Sequence, residues 1–237
     1  MTQRAVVISK VAIWAACLAP LVLLVLRALP AAYLGGLGAN PVEEILNVCG
    51  KTGLNLLMLT LCVTPIRRST GINRLISFRR LLGLFAFFYL VLHFLTYALL
   101  DLGLLYPLIY GETAAGITPG AQLLADIAER PYITVGFTAL VLLIPLAITS
   151  TRGMQRRLGR AWAKLHRLVY VVSVLGLVHY WWQIKSDLDI GEPLLYAFLL
   201  AVLLGVRIQH RLVHSKAAVA PPYQRVEPPQ AHEKTSH

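Results

Sequence analysis

The sequence predicts an all-α integral membrane protein: a six-helix transmembrane bundle with both termini in the cytoplasm. Three observations lead to this prediction. Hydrophobic residues make up 57% of the 237 residues and charged residues only 14%, against roughly 25% charged in an ordinary soluble domain. Six apolar windows each approach the ~20 residues that a transmembrane helix needs. Finally, basic residues concentrate in the loops of one predicted side, which the positive-inside rule assigns to the cytoplasm.

The six windows divide the chain into a short N-terminus, a membrane domain and a tail. Residues 1–10 are the predicted cytoplasmic N-terminus, and residues 11–210 the six-helix domain. Residues 211–237 are rich in Pro, Ala and charge, which is typical of a disordered tail. No internal repeat is evident. The predicted spans are Val11–Leu29, Ile45–Val63, Leu81–Leu100, Tyr132–Ile148, Leu165–Trp182 and Pro193–Ile208.

Loop charge sets the predicted orientation. The N-terminus, the loops after spans two and four, and the segment from Arg207 onward hold 18 of the 22 Lys and Arg residues. The opposite side holds nine of the eleven acids. Topology therefore explains the net charge of +11, and lipid headgroups rather than nucleic acid are the expected partners of the basic loops. The longest outer segment, residues 101–131, is expected to lie on the membrane surface as an interfacial helix or to cover a site beneath it.

Cysteine usage and motifs exclude several kinds of function. The three cysteines, Cys17, Cys49 and Cys62, form no CxxC pair, which disfavours a disulfide framework, an iron–sulfur cluster and a covalently attached haem. The chain has no Walker loop, no GxSxG and no paired intramembrane carboxylates. We therefore predict no catalytic residue.

Two histidines lie at matching predicted depths in the membrane. His93 is eight residues, or ~12 Å of helix, from Asp101, the first charge on the outer side. His179 is six residues, or ~9 Å, from Lys185. Ionisable groups inside spans are functional candidates by default. His93 and His179 are therefore the principal candidate site residues.

Four interpretations of this pair are open: a directly bound metal ion, a proton pathway, a haem ligated by both imidazoles, and ordinary hydrogen bonds between helices. Zinc or copper normally takes three or four protein ligands. A b-type haem needs only two axial imidazoles and an apolar slot between helices. The matching depth favours haem.

A second polar level lies ~20 Å further in. His166 precedes His179 by thirteen residues, and Arg80 precedes His93 by thirteen, with Arg79 beside it. Thirteen residues of ideal helix rotate a side chain ~140° away from its starting face. His166 and His179 are therefore not expected to face the same neighbour on one straight helix.

Four segments of the chain, in order, resemble the MsrQ (YedZ) family. They are GKTGLNLLMLTLCVTPIRR, RRLLGLFAFFYLVLHFLTYALLDLG, RPYITVGFTALVLLIPLAITS and RLGRAWAKLHRLVYVVSVLGLVHYWWQIK. This family is the haem-binding membrane subunit of a bacterial periplasmic methionine sulfoxide reductase system. More distantly, the chain is similar to the ferric reductase and NADPH oxidase transmembrane domain, a six-helix fold with two stacked b-type haems.

The resemblance implies an electron-transfer subunit of the bacterial inner membrane. It would pass electrons from the quinone pool to a periplasmic molybdopterin-containing methionine sulfoxide reductase, which repairs oxidised proteins. By this likeness, His93 and His179 ligate the outer haem and His166 is a ligand near an inner one. The oxidases carry a second histidine on span three, where this chain has Arg79 and Arg80, so the resemblance leaves one or two haems open.

The resemblance also implies FMN, for which no binding residue is assigned. Whether the chain counts as an enzyme depends on treating quinol oxidation as its own reaction, because sulfoxide reduction belongs to the partner. Two other functions compete with this one. One is a stand-alone transmembrane ferric reductase, and the other is a cofactor-free transporter or structural membrane protein.

Overall fold

The computed structural model describes residues 3–29, 35–104, 119–184 and 190–219, and these residues form helices and no strand. A 3₁₀ turn, Asn73–Leu75, precedes the third helix, and a π-helical turn, Tyr97–Asp101, follows it. The α-helices are α1 (Gln3–Ala28), α2 (Pro41–Thr70), α3 (Ile76–Thr96), α4 (Pro119–Glu129), α5 (Pro131–Ile148), α6 (Arg152–Leu158), α7 (Arg160–Leu165), α8 (Leu168–Trp182) and α9 (Gly191–Val219).

Six helical segments of the described chain are long and apolar enough to cross a membrane. Each contains most or all of one predicted span, so the prediction of a helical protein with six candidate spans is confirmed for the described residues. The last helix continues to Val219, and residues 220–237 of the predicted tail lie outside the described residues. The six segments are Val7–Ala28, Pro41–Thr70, Asn73–Asp101, Pro131–Ile148, Arg160–Trp182 and Gly191–His210.

Local sequence explains where the central helices begin and end. The Asn40 side chain accepts a hydrogen bond from the backbone N–H of Glu43, and Pro41 occupies the first turn of α2. The same helix ends at Gly71, whose φ of 71° is a left-handed conformation that glycine adopts without steric cost. Pro131 likewise begins α5. These signals set where α2 begins and ends and where α5 begins, and these two helices supply the carbonyls that contact His93 and His179.

Two antiparallel helix pairs form the centre of the bundle. In the first hairpin α2 packs along α3, and in the second hairpin α5 packs along α8. The hairpins meet where α3 contacts α5 and α2 contacts α8, while α9 packs on α8 and α2, and α1 lies against α2 and α3. We call the end of the bundle that holds His93 and His179 the His93 end, and the opposite end the His166 end.

Two prolines inside helices are compensated by polar side chains from other helices. At Pro20 of α1, the buried hydroxyl of Tyr89 accepts from the N–H of Leu21 at 3.2 Å and donates to the carbonyl of Cys17 at 2.7 Å. The hydroxyl thus replaces the bond that these two backbone groups make in a regular helix. It also fastens α1 to α3.

The second case involves Pro65 and Arg207. Pro65 has no N–H to give to the carbonyl of Leu61, one turn earlier in α2. The Arg207 guanidinium of α9 donates to that carbonyl instead, and a second donor reaches the Leu203 carbonyl at 2.8 Å. Arg207 is only 7% exposed. Its position is therefore explained in part by the gap that Pro65 leaves.

Within the long segment predicted to be interfacial, the structure describes a helix, α4, which packs against α5. Residues 105–118 lie outside the described residues. Helix α4 carries Asp126, which is 3% exposed. The segment therefore places a carboxylate inside the protein, next to the start of α5.

Candidate functional site

The structure brings the rings of His93 of α3 and His179 of α8 next to each other in an edge-to-face arrangement. Their ring centres are 6.1 Å apart, and the ring planes are inclined by 81°. Two imidazoles that bind one metal from opposite sides, each nitrogen about 2 Å from it, place their ring centres roughly 6 Å apart. The observed spacing therefore fits two axial ligands of a single iron. Lys185, which marks the predicted outer end of span five, lies outside the described residues.

The hydrogen bonds of both rings leave the same nitrogen for ligation. Nδ1 of His93 lies 2.9 Å from the carbonyl oxygen of Leu46, and Nδ1 of His179 lies 2.8 Å from that of Tyr132. A carbonyl only accepts hydrogen bonds, so each Nδ1 carries the proton and donates it. Each Nε2 then keeps its lone pair. A backbone partner on Nδ1 that fixes the tautomer is the usual arrangement of a metal-ligating histidine.

A glycine lies directly beneath each imidazole. A Cβ on Gly50 of α2 would lie 3.0 Å from Nδ1 of His93, and one on Gly136 of α5 would lie 2.7 Å from Nδ1 of His179. The second distance is shorter than real Cβ contacts allow. Gly136 therefore lets the His179 ring approach the carbonyl one turn earlier, and an added Cβ at Gly50 would push the His93 ring away by a few tenths of an ångström.

The two hairpins repeat the same arrangement. In both, 47 residues separate the carbonyl from the histidine that donates to it, and the glycine follows the carbonyl by four residues. Shifting the sequence by 86 positions superimposes Gly50 on Gly136 and His93 on His179. The expectation of no internal repeat is therefore wrong for the site. An alignment of the chain with itself would have revealed the two glycines, which the search for ionisable residues missed.

Among the described residues, His93 and His179 are not part of a larger group of metal-ligating side chains. Within the ranges that the structure describes, no group of three or more His, Cys, Asp or Glu side chains is arranged to hold a metal ion. The aromatic rings of Phe94 and Phe137 contact each other at 5.7 Å on the α3 and α5 sides. Two ligands in apolar surroundings suit a metal whose remaining coordination positions are filled by a macrocycle.

His166 occupies the opposite end of the bundle in a different setting. It lies at the end of α7, where its ring stacks on Trp162 with centres 4.0 Å apart, and its Nδ1 lies 3.2 Å from the Trp162 carbonyl. Nε2 is buried and makes no well-formed hydrogen bond among the described residues, although the Leu146 backbone interacts with the ring. A buried polar atom without a partner is costly, so this nitrogen is the second candidate position for an external group.

A break in the helix separates His166 from His179. α7 ends at Leu165, residues 166 and 167 form a turn, and α8 begins at Leu168. Both residues keep right-handed helical dihedrals, so the break is a local distortion within one helical segment. Each histidine takes its own neighbours.

The two candidate arginines differ in their surroundings. Arg79 is partly buried and interacts electrostatically with His166, Tyr170 and Arg207, whereas Arg80 is exposed. The guanidinium of Arg207 also lies over the Tyr170 ring, 5.4 Å from its centre. Sequence reasoning counted Arg207 among the loop charges and missed its burial. The sequence feature that could have indicated this burial is the position of Arg207 within the apolar run LLAVLLGVRI.

Charge is segregated between the two ends of the described bundle. Arg79 and Arg207 both lie at the His166 end, and no carboxylate among the described residues accompanies them there. Every described Asp and Glu lies at or beyond the opposite ends of the helices: Glu43, Glu44, Asp101, Asp126, Glu129 and Glu192. The His166 end therefore favours anionic groups.

Comparison of the sequence with known proteins identifies the family of this chain. Residues 49–177 match the family model described as the ferric reductase like transmembrane component. A protein of Ralstonia nicotianae named "Protein-methionine-sulfoxide reductase heme-binding subunit MsrQ" is 48% identical over 200 residues, covering 84% of each chain. The chain belongs to the MsrQ family.

Other MsrQ relatives extend the similarity along almost the whole chain. The relative from Xanthomonas campestris is 47% identical over 209 residues, which is 87% of this chain and 88% of its own. The relative from Xanthomonas oryzae is 44% identical over 232 residues, or 97% of both chains. The name of these MsrQ proteins describes them as haem-binding subunits. The facing imidazoles of His93 and His179 are the part of this MsrQ chain that fits such a group.

Proposed function

We propose that this protein is the haem b-binding membrane subunit of a bacterial methionine sulfoxide reductase system. It transfers electrons from the quinol pool to a periplasmic molybdopterin-containing catalytic subunit, which reduces methionine sulfoxide in oxidised proteins. The observation that carries the proposal is the 6.1 Å spacing of the His93 and His179 rings, with each Nδ1 held by a backbone carbonyl. The relatives named as haem-binding subunits support it.

His93 and His179 would hold the haem iron through Nε2. The bound haem would supply a one-electron carrier. The carbonyls of Leu46 and Tyr132 fix the tautomer and orientation of the two imidazoles, and the hydrogen bonds to them raise the basicity of each Nε2. Gly50 and Gly136 provide the space for both rings. The protein itself thus contributes binding, orientation and an apolar environment.

In this proposal the chain lies in the bacterial inner membrane with both termini in the cytoplasm. The basic loops at the His166 end face inward, as the positive-inside rule requires. The His93 end, where the described carboxylates collect, faces the periplasm. Electrons therefore leave the protein on the side where the catalytic subunit acts.

We propose that electrons enter the protein at the His166 end. This end would bind either quinol alone or quinol together with a second haem. His166 offers a buried Nε2 without a well-formed hydrogen bond, and Arg79 of the neighbouring hairpin interacts with it electrostatically. Arg80 is exposed and is assigned to lipid headgroups. FMN, which the family resemblance implies, would be attracted through its phosphate to the same basic end.

The decisive experiment is a reduced-minus-oxidised absorption spectrum of the purified protein made with adequate haem supply. We expect a Soret and an α-band. The variants His93→Ala and His179→Ala each remove this signal, whereas His166→Ala retains much of it. A wild-type protein without either band refutes the proposal. Equal loss in all three variants contradicts the assignment of the ligand pair.

The electron acceptor separates this proposal from a stand-alone ferric reductase. The reduced protein is mixed either with the purified periplasmic catalytic subunit and a methionine sulfoxide substrate, or with a ferric chelate. We expect rapid reoxidation of the haem by the catalytic subunit. Preference for the chelate identifies a ferric reductase instead.

A further inference from the structure

Asp126 is a buried carboxylate that the proposed electron transfer does not use. Its side chain is 4% exposed, although it lies on the short helix α4. It accepts a hydrogen bond of 2.5 Å from the Tyr97 hydroxyl and one of 2.9 Å from the Gln122 amide. The guanidinium of Arg130 approaches it at 3.4 Å. A buried charge with this many donors is well satisfied.

Tyr97 connects Asp126 to the helix of the first ligand. Tyr97 follows His93 by four residues, so the two side chains lie one turn apart on the same side of the helix. The backbone N–H of Tyr97 donates to the carbonyl of His93. A hydrogen bond that holds the Tyr97 ring therefore limits the rotation of the segment that carries His93.

On its other side, Asp126 belongs to the corner that positions the second ligand. The N–H of Arg130 donates to the Asp126 carbonyl at 3.1 Å. The Thr134 hydroxyl donates to the carbonyl of Ile127, which closes the turn from α4 into α5. Two residues after Arg130, the Tyr132 carbonyl accepts from His179. The corner thus joins Asp126 rigidly to the carbonyl that orients His179.

We propose that the Asp126–Tyr97 hydrogen bond fastens the two ligand hairpins to each other and sets the relative orientation of His93 and His179. Asp126 and Tyr97 are positioning residues in this scheme. The inference rests on the proposed haem site. It adds a role for α4: this helix holds the ligand pair from the outer side, besides packing on α5.

The alternative is that Asp126 only attaches α4 to the bundle. Four variants of the full-length, haem-loaded protein separate the two roles. Tyr97→Phe removes the donor, and Asp126→Leu removes the acceptor while keeping the branched shape of the side chain. Asp126→Asn keeps an acceptor for Tyr97 and so serves as the conservative variant. Glu129→Gln is the matched control, because Glu129 is an exposed carboxylate of the same helix.

The readouts are the low-spin ferric electron paramagnetic resonance spectrum, which reports the angle between the ligand planes, and the midpoint potential of the haem. We expect Tyr97→Phe and Asp126→Leu to shift both, while Asp126→Asn and Glu129→Gln leave the resonance spectrum unchanged. Thermal unfolding is measured in parallel.

Three outcomes decide the matter. Wild-type spectra in every variant, with lower thermal stability in Asp126→Leu, leave Asp126 only the attachment of α4 and overturn the inference. The inference is also overturned if Asp126→Asn shifts the resonance spectrum as Asp126→Leu does. In that case the charge of Asp126, and not its hydrogen bond to Tyr97, sets the orientation of the ligands. Absence of haem from the wild-type protein overturns the proposed function itself, which is a different result.

Discussion

His93 and His179 meet with ring centres 6.1 Å apart, although 86 residues separate them in the chain. Each ring reaches this position by the same local device: a backbone carbonyl on the facing helix, followed four residues later by a glycine. The pairing is therefore built twice, once in each hairpin. Because the two halves of the site are equivalent, the effects of substitutions in both halves can be predicted.

Gly136→Ala is expected to displace His179. The new Cβ would lie 2.7 Å from Nδ1 of the ring, so the bond to the Tyr132 carbonyl cannot form as it does now. Loss of the hydrogen-bond partner of a metal-ligating histidine typically weakens metal binding roughly 10- to 100-fold. Haem content per protein, measured by absorbance after purification, should fall accordingly. Gly50→Ala should have a smaller effect, because its Cβ would lie 3.0 Å from His93.

The matched control is Gly205→Ala, in a helix position with no atom within 4 Å of the added Cβ. This variant should retain wild-type haem content, since alanine favours the helix over glycine. Equal haem loss in Gly205→Ala and Gly136→Ala would mean that the glycines matter for folding in general and not for the site.

The inclination of the two rings predicts a spectroscopic signature. Their planes are 81° apart, and nearly perpendicular axial imidazoles give a more anisotropic low-spin ferric spectrum than parallel ones. We expect the electron paramagnetic resonance spectrum of the oxidised wild-type protein to show the strongly anisotropic form. A spectrum typical of parallel ligands would contradict the ring orientations described above.

Arg79 and Arg80 are neighbours in sequence and are expected to behave differently. Arg79 is partly buried and interacts with His166, whereas Arg80 is exposed. Arg79→Gln should therefore slow quinol-dependent haem reduction, and Arg80→Gln should not. Stopped-flow absorbance with a soluble quinol measures both rates. A slower rate in Arg80→Gln alone would transfer the role to the exposed residue.

Apolar windows and loop charge were sufficient to predict the six spans, because apolar length and positive loops are properties of continuous segments. Counting residues from the first loop charge also predicted that His93 and His179 lie at the same depth in the membrane. It could not choose between Arg79 and Arg80, because a one-residue shift rotates a side chain by ~100° on a helix. It also missed Gly50 and Gly136, since glycine has no side-chain chemistry to suggest a site.

The Tyr89 hydroxyl is expected to stabilise α1 through its two bonds at the Pro20 kink. Hydrogen bonds inside membranes are worth about 0.6 kcal/mol each on average, so Tyr89→Phe should cost roughly 1 kcal/mol. Pro20→Ala removes the need for the hydroxyl, because the helix can then close its own ladder. A double-mutant cycle in denaturant should show coupling between the two positions. Strict additivity would contradict this pairing.

Arg207 and Pro65 form the second such pair, and here the prediction is a rescue. Arg207→Met keeps the apolar stem but leaves the buried Leu61 carbonyl without a donor, because Pro65 has no N–H to offer. An unsatisfied buried group costs about 1–3 kcal/mol, which should appear as a lower unfolding midpoint. Pro65→Ala supplies the missing N–H, so the double variant should regain most of this loss. If Pro65→Ala restores nothing, the charge of Arg207 and not its bond to Leu61 stabilises the bundle, and its proximity to Tyr170 and Arg79 then becomes the property to test.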